Sequence, residues 1–287
     1  MKVLILGLGK SGTTALLQKV AGGLPDCAAF SGGLPGKYLG DHQNAVYKHI
    51  YKYKERKYNG VDIYTEHLNH TRYDRLIWLV RDPRDIAVSR MLYRWHNGYR
   101  GRKKQFRAHL EHILQKEQNP NSIPFHTLCR YAGYYNWPAR TEDIIGEEQL
   151  RYESLLNFVE NLGSEWFIFK YEDMLSGAFF KLNEYLGFTV NENAQIPNSS
   201  KKSKVIRKKS AGDWRHWFTR EDVDLFKPVY TPYMNVVGYD CDDWNLNPRP
   251  LIEPDYSSKY IMGLIRKKRI NVLRKWRDRA GLSWIKF

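Results

Sequence analysis

The chain has 287 residues, 42% of them apolar and 14% aromatic, so it can bury a sizeable core and is not in the main disordered. Its 46 Lys and Arg residues against 31 acidic ones give a net charge of +15, which predicts polyanionic partners such as phosphates, nucleic acid, anionic lipid or acidic sugars. Three scattered cysteines argue against a disulfide framework and favour a reducing compartment. Because neither a transmembrane run nor a signal peptide is visible, we expect a cytoplasmic protein.

The predicted elements alternate between strand and helix. In chain order they are a strand over 2–8, a helix over 15–20, a Gly- and Pro-rich loop over 22–41, a strand over 44–51, a short helix over 63–72, a strand over 74–80, a helix beginning at Asp82, helical structure over 106–162 with turns near Asn119 and Gly146, a strand over 166–171, a helix over 173–186 and a loop over 190–209. This alternation predicts a three-layer α/β domain with a central, mostly parallel sheet. We assign residues 1–245 to this domain and residues 246–287 to a basic C-terminal extension.

The segment Asp82-Pro83-Arg84-Asp85 has the pattern of a helix N-terminus. Asp82 suits the N-cap, Pro83 suits the first helical position, and Asp85 stands three residues after the cap, where an acid closes a capping box.

Residues 7–14, Gly-Leu-Gly-Lys-Ser-Gly-Thr-Thr, follow the first strand and fit three chemistries. A dinucleotide fingerprint needs an acid at the end of the next strand, but Asp26 lies within the predicted loop. A Walker A loop needs a glycine where Leu4 stands, inside the strand. The third interpretation is a compact anion-binding loop, in which backbone N–H groups at a helix N-terminus converge and Lys10 adds a point charge. A plain strand–helix turn is the alternative, and the wealth of donors favours the anion site.

A second anion pocket is indicated further along the chain. Arg81 stands at the carboxyl end of the strand over 74–80, where ligands bind in open α/β sheets, and Ser89 lies about two turns into the following helix. A run of cations at residues 207–209 precedes a Gly-Asp-Trp turn. The alternatives are a salt bridge from Arg81 to Asp82 or Asp85, and a solvated basic loop.

With these motifs in order, residues 1–220 resemble the sulfotransferases that use 3′-phosphoadenosine 5′-phosphosulfate (PAPS). Residues 10–14 match the family's 5′-phosphosulfate loop, residues 79–85 with Ser89 its 3′-phosphate motif, residues 207–219 its late loop, and residues 169–174 its Tyr-Glu-Asp segment. The resemblance implies donor contacts from Lys10, Ser11, Gly12, Thr13, Thr14, Arg81, Ser89, Tyr171, Arg207 and Lys208. Two positions depart from the family, since Ala15 stands where cytosolic members often carry a tryptophan and Lys209 replaces a glycine.

The resemblance implies a sulfuryl transfer from PAPS to an acceptor hydroxyl without a metal. Lys10 would stabilise the leaving phosphate oxygen, and the family often places a histidine base shortly after a lysine at the end of the second strand. Lys48-His49 closes the strand over 44–51, so His49 is the first candidate for the base. His67 and Glu66 remain competing candidates.

Residues 257–287 carry ten Lys and Arg against a single acid, which is +9 of the total charge. Because Ile261, Leu264, Ile265, Val272 and Trp276 recur at helical spacing, we expect a basic amphipathic helix. This helix would bind an anionic surface at the inner membrane face or pack on the domain. We therefore expect a glycan, glycolipid or other hydroxyl acceptor and no specific nucleic acid. The alternative functions are a nucleotide kinase with an atypical phosphate loop and a basic nucleic-acid or lipid-binding module.

Overall fold

The computed structural model describes residues 1–32, 42–52, 57–58, 61–62, 73–98, 102–131, 140–196 and 210–266. The elements are β1 (Lys2–Gly7), α1 (Thr13–Ala21), β2 (Ala28–Ser31), β3 (Ala45–Ile50), β4 (Lys57–Tyr58), β5 (Val61–Asp62), β6 (Arg75–Val80), α2 (Pro83–Tyr93), α3 (Trp95–Gly98), α4 (Lys103–Gln118), α5 (Phe125–Cys129), α6 (Thr141–Glu160), β7 (Trp166–Lys170), α7 (Tyr171–Ser176), α8 (Phe180–Leu186), α9 (Trp214–Trp217) and α10 (Arg220–Val236), followed by a 3-10 turn at Pro254–Tyr256.

Five strands form one sheet in the order β2-β3-β1-β6-β7, and every neighbouring pair is parallel. The apolar strand β1 lies at the centre, where Leu6 has His49 of β3 on one side and Trp78 of β6 on the other. Such a fully parallel sheet requires cover on both faces, and its strands are accordingly apolar. The predicted α/β class with a parallel sheet is confirmed.

Helices cover the two faces of this sheet, because alternate side chains of a strand point to opposite faces. On one face Val3 and Ile5 of β1 share a buried cluster with residues of α1, α7 and α8. On the other face Leu6 belongs to the larger cluster, which residues of α2, α6 and α10 complete. The sheet and its two helical layers make the predicted three-layer arrangement.

Several predicted boundaries were wrong, each for a local reason. The predicted loop over 22–41 contains β2, a four-residue edge strand whose half-exposed pattern resembles a loop in sequence. Gly146 lies inside α6 and forms no turn, because a single glycine costs a helix too little to end it. The single helix predicted over 173–186 is two helices, since Gly177 ends α7 in the left-handed conformation with φ 77°. The helix predicted over 63–72 lies outside the described residues.

The predicted start of α2 is correct for two of its three residues. The Asp82 carboxylate accepts a hydrogen bond from the backbone N–H of Arg84 (2.9 Å), and Pro83 occupies the first helical turn. Asp85 does not close a capping box. Its buried carboxylate instead accepts hydrogen bonds from the backbone N–H groups of Gly212 (2.7 Å) and Trp214 (3.0 Å), so a long-range contact replaces the predicted local one.

The chain after residue 245 packs on the domain as far as it is described. Ile261 and Ile265 are buried in the larger core cluster, and Glu117 of α4 accepts hydrogen bonds from Ser257 and Ser258 at the start of a helix over residues 258–266. Of the two alternatives for this segment, packing on the domain holds for Ile261 and Ile265, and residues 267–287 lie outside the described residues. None of the helices in the described ranges is both long and apolar enough to cross a bilayer.

Candidate active site

The predicted site lies where β1 and β6 end side by side. From β1 the chain moves to β2 and β3 on one side of the sheet, whereas β6 and β7 lie on the other side. The crevice outside the carboxyl ends of such strands is the usual ligand position in open α/β sheets. Two structures meet there: the glycine loop (residues 7–14), and the Arg81 corner, formed by Arg81, Asp85 and Ser89 with residues 210–214.

The glycine loop is turned by two left-handed positions that are separated by one residue. Lys10 has φ 80° and Gly12 has φ 92°, with Ser11 between them. Ser11 is fully buried, and its Oγ donates a hydrogen bond to the Leu8 carbonyl (2.8 Å), so this hydroxyl stabilises the turn from within. Gly12 is the N-cap of α1 and has no side chain to cap it, which leaves the first N–H groups of the helix for an anion.

Gly12 also permits a close approach that another residue would obstruct. A Cβ at this position would lie 2.5 Å from Cδ2 and 2.8 Å from Cε2 of the Tyr171 ring. Tyr171 begins α7 directly after β7, so the ring joins the glycine loop to the third strand end of the crevice. The sequence resemblance places this tyrosine beside the donor's adenine, and the structure places it against Gly12.

Lys48 and Thr14 meet at the opposite side of the loop. Lys48 is 4% exposed, and its Nζ donates a hydrogen bond to Thr14 Oγ1 (3.0 Å). Because Lys48 lies beside Ile5 in the register of β1 and β3, it projects from the sheet face that α1 covers. The buried ammonium therefore adds a second positive charge beside the glycine loop, while Thr13, 3% exposed, lies within the first turn of α1.

Arg81 bridges the glycine loop and the late segment. Its Nη1 donates a hydrogen bond to the Lys10 carbonyl (3.0 Å), and its Nη2 donates one to the Ser210 carbonyl (3.4 Å). The guanidinium lies 4.4 Å above the centre of the Tyr171 ring. The Nε of Arg81 is buried and has no hydrogen-bond partner among the described residues. This donor fits an anionic group in the crevice, which would supply the acceptor that a buried N–H requires.

Asp85 holds the late segment against α2. Its hydrogen bonds to Gly212 and Trp214 join residues 127 and 129 positions away, and Gly212 has φ 77°. Burial raises the pKa of the Asp85 carboxyl to about 7, although the charge of Arg81 and the two N–H donors act in the opposite direction. Residues 210–214, the described start of the predicted late loop, therefore lie against the predicted 3′-phosphate motif at residues 79–85.

Ser89 lies on the helix face that carries these contacts. Residues four apart share one face of a helix, so Ser89 stands between Asp85 and Tyr93 along α2. Asp85 contacts the late segment, and the Tyr93 ring contacts the Lys10 ammonium, whose Nζ lies 3.8 Å from the ring centre. The half-buried Ser89 hydroxyl thus belongs to the wall of the crevice.

His49 lies near the end of β3, one position after Lys48, and projects to the other sheet face. It is 8% exposed, and its Nδ1 lies 3.2 Å from the Gly32 carbonyl oxygen. Because a carbonyl can only accept, we assign the ring proton to Nδ1, which leaves the lone pair of the neutral ring on Nε2. This is the tautomer that a proton acceptor at Nε2 requires.

Not every predicted residue has a described position. Arg207, Lys208, Glu66 and His67 lie outside the described residues. Sequence reasoning also assigned no role to two residues at the crevice. The first is Tyr93, which its spacing of four from Ser89 could have indicated. The second is Glu172, which accepts hydrogen bonds from the backbone N–H of Asp82 (3.2 Å) and the Tyr239 hydroxyl (2.6 Å) and so ties α7 to α2.

The chemistry of these side chains is that of an anion site. Hydroxyl, amide, ammonium and guanidinium donors surround the crevice, and within the described ranges no three His, Cys, Asp or Glu side chains are grouped as metal ligands would be. A strand–loop–helix with an arginine at the switch point of a parallel sheet defines an anion-binding α/β domain of the nucleotide-binding type.

Comparison with known proteins then identifies the family. The sequence signature of the sulfotransferase domain matches residues 1–238, so the chain belongs to the sulfotransferase-domain family and is an enzyme of that class. This confirms the resemblance carried by its motifs and favours it over a kinase or a simple binding module. A comparison with curated protein sequences gives no significant match.

Among solved structures, the chain is similar to the crystal structure of mouse sulfotransferase SULT7A1 complexed with PAP. The TM-score is 0.50 at 16% sequence identity, and the alignment covers 81% of this chain and 83% of that chain. At this identity the likeness concerns the fold, and it agrees with the three-layer arrangement described above.

Proposed function

We propose that this sulfotransferase takes its sulfuryl group from PAPS and transfers it to an acceptor hydroxyl. The donor's 5′-phosphosulfate would lie on the glycine loop, and its 3′-phosphate would lie at the Arg81 corner, with Arg207 and Lys208 contributing further charge. The observation that carries this proposal is the position of Arg81, which bonds to the glycine loop and the late segment and keeps a buried Nε donor for an anion. The PAP complex of the structural neighbour supports the same donor.

The proposed reaction moves one sulfuryl group in line between two oxygens. A new bond forms between the acceptor oxygen and sulfur, while the bond between sulfur and the 5′-phosphate oxygen breaks and leaves its electron pair on that oxygen. Lys10 and the N–H groups at the start of α1 would stabilise this developing charge, as preorganised donors do in phosphoryl transfer. The protein would position the acceptor and the donor and stabilise the charge on the leaving oxygen, and no step of this reaction needs a metal.

His49 remains the proposed general base. Its proton on Nδ1 faces the Gly32 carbonyl, so Nε2 would take the proton of the acceptor hydroxyl. In His49→Gln, which cannot take up a proton, we expect most turnover to be lost and PAP binding to be kept. If His49→Gln remained active while His67→Gln or Glu66→Gln lost activity, the base would have to be reassigned.

Calorimetric titration with adenosine 3′,5′-bisphosphate (PAP) tests the donor assignment. We expect PAP to bind in the presence of EDTA and at least tenfold more tightly than AMP, because PAP alone supplies a phosphate for the Arg81 corner. Inosine 3′,5′-bisphosphate is a matched control that changes the base and keeps both phosphates. Equal affinity for PAP and AMP would contradict the two-pocket arrangement.

For the acceptor we propose a glycan, glycolipid or other hydroxyl compound, met by a cytoplasmic enzyme at the inner membrane face. The support is the positive charge of the C-terminal residues, since each Lys or Arg near an anionic surface adds roughly 1 kcal/mol to binding. Because Ile261, Leu264 and Ile265 are buried, contact would be electrostatic, through the basic residues beyond Arg266.

Transfer of labelled sulfuryl from PAPS to a panel of soluble oligosaccharides and glycolipids would identify the acceptor. Removal of residues 267–287 should keep PAP binding and abolish sedimentation with vesicles containing anionic lipid, an effect that high salt should reproduce. Neutral vesicles are the control. Equal sedimentation of the full and the shortened chains would reject the membrane proposal.

A further inference from the structure

The ammonium of Lys10 has an aromatic partner that no part of the donor assignment uses. Its Nζ lies 3.8 Å from the centre of the Tyr93 ring, a distance at which the ring face attracts a cation. Tyr93 is the last residue of α2 and stands on the same helix face as Ser89. The contact thus reaches the ammonium from the helix that carries the Arg81 corner.

The ring is itself held in place. The His96 imidazole stacks on it, with 4.6 Å between ring centres and 16° between ring planes. Tyr93 and His96 are both half-buried, so the stack lies at the edge of the crevice and not in the core. A ring fixed in this way presents a constant face to the lysine.

The backbone of Lys10 is fixed as well. Its φ of 80° is uncommon for a residue with a Cβ, and its carbonyl accepts the hydrogen bond from Arg81. A lysine side chain still has four rotatable bonds beyond such a backbone and loses substantial entropy when its end is held in one place. A contact that holds the Lys10 ammonium therefore determines where its positive charge lies.

We propose that Tyr93 is a positioning residue for the Lys10 ammonium. Its ring holds the charge at the glycine loop, where the leaving phosphate oxygen of the donor would lie. The inference rests on the proposed role of Lys10 in sulfuryl transfer. It predicts that Tyr93 affects turnover through Lys10 and contributes little to donor affinity.

Paired substitutions at Tyr93 test the contact. Tyr93→Phe keeps the ring, whereas Tyr93→Leu and Tyr93→Met remove it, and two variants guard against one that does not fold. We expect the ring-free variants to lose about 2- to 30-fold in kcat, the range of a cation–π contact, with PAP affinity within twofold of the wild type. Tyr93→Phe should lose less than either. Equal losses in Tyr93→Phe and Tyr93→Leu, or tighter PAP binding with normal turnover, would overturn the proposal.

A second measurement separates positioning from a structural role. In a Lys10→Met background, Tyr93→Leu should have no further effect on kcat, because the ammonium that the ring holds is absent. A full additional loss in that background would overturn the inference. If Lys10→Met itself turned over normally, the proposed function of Lys10 would be wrong, so the two failures are distinguishable.

A spectroscopic measurement needs no acceptor. After reductive methylation with ¹³C-formaldehyde, the Lys10 signal, identified by its loss in Lys10→Arg, should be displaced upfield by the Tyr93 ring current. The displacement should persist in Tyr93→Phe and disappear in Tyr93→Leu. An unchanged Lys10 signal in Tyr93→Leu would contradict the contact.

Discussion

The glycine loop and the Arg81 corner, the two parts of the crevice that we propose to hold the donor's anionic groups, are built in different ways. The glycine loop lies within eight consecutive residues, and its donors are mainly backbone N–H groups held by a turn of left-handed residues. The Arg81 corner instead joins segments 127 to 129 residues apart through side chains. The loop is thus contiguous in the chain, whereas the corner is built from segments that are far apart in the sequence. We expect loss of the Lys10 side chain to affect mainly the reaction, because the N–H groups of the loop remain, and loss of the Arg81 side chain to affect mainly donor affinity.

The largest expected effect is on turnover, in Lys10→Met. Loss of a donor to a developing oxyanion typically lowers kcat by about 10²- to 10³-fold, because the charge is most useful when the leaving oxygen becomes negative. PAP affinity should change much less, since the loop N–H groups remain. Steady-state kinetics with the acceptor identified by the panel, together with PAP titration, would measure both. A raised donor KM at normal kcat would show that Lys10 serves donor binding and not the reaction.

Gly12→Ala should break the loop itself. The added Cβ would lie 2.5 Å from the Tyr171 ring, at a φ of 92° that disfavours any side chain, so we expect a loss of about 2–4 kcal/mol in the free energy of unfolding and weak PAP binding. Gly146→Ala is the matched control, because nothing lies within 4 Å of its added Cβ inside α6. That variant should gain about 0.5–1 kcal/mol in stability. Thermal unfolding of both proteins would measure these changes.

Arg81→Ala should weaken PAP binding by about 1.5–3 kcal/mol, the range for a hydrogen bond to a charged group, and should affect AMP much less. Arg220→Ala is a suitable control, since Arg220 is 83% exposed in an ion pair with Asp224 on α10. Titration of both variants with both nucleotides would measure the difference. If Arg81→Ala weakened PAP and AMP equally, the corner would not hold the 3′-phosphate.

A separate expected effect concerns the dependence of stability on pH, because the corner contains a buried acid and the loop does not. Burial raises the pKa of Asp85 to about 7 from 3.8, so between these pH values the folded chain binds a proton that the unfolded chain has released. This contribution to the free energy of unfolding is complete below about pH 4 and decreases toward pH 7, by at most about 1.4 kcal/mol per pH unit. Denaturant unfolding of the wild type and Asp85→Asn should diverge across this range. Parallel curves would show that Asp85 does not titrate there.

The contrast between the local glycine loop and the long-range Arg81 corner also explains which features could be predicted from the sequence. The parallel sheet, the loop over 7–14 and the N-cap at Asp82 depend on short-range patterns of apolar, glycine and capping residues, and the structure confirms them. The role of Asp85 depends on residues more than 120 positions away, so a local capping interpretation took its place. The spacing of Tyr93 from Ser89 indicates its helix face, but its contact with Lys10 joins residues 83 positions apart and no local pattern describes it. The edge strand β2 was too short and too exposed for a periodic signal.

The two faces of the sheet also differ in when they can be completed during synthesis. The cluster that packs on α1, α7 and α8 has its last described member at Val190, whereas the larger cluster needs Ile265, 75 residues later (190 to 265). A ribosome that adds about 5–20 residues per second needs about 4–15 seconds for that stretch. For this interval one face of the sheet can be fully covered while the other still exposes apolar surface. A nascent chain of this enzyme would therefore expose apolar surface on one face of its sheet until the segment around Ile265 has been synthesised.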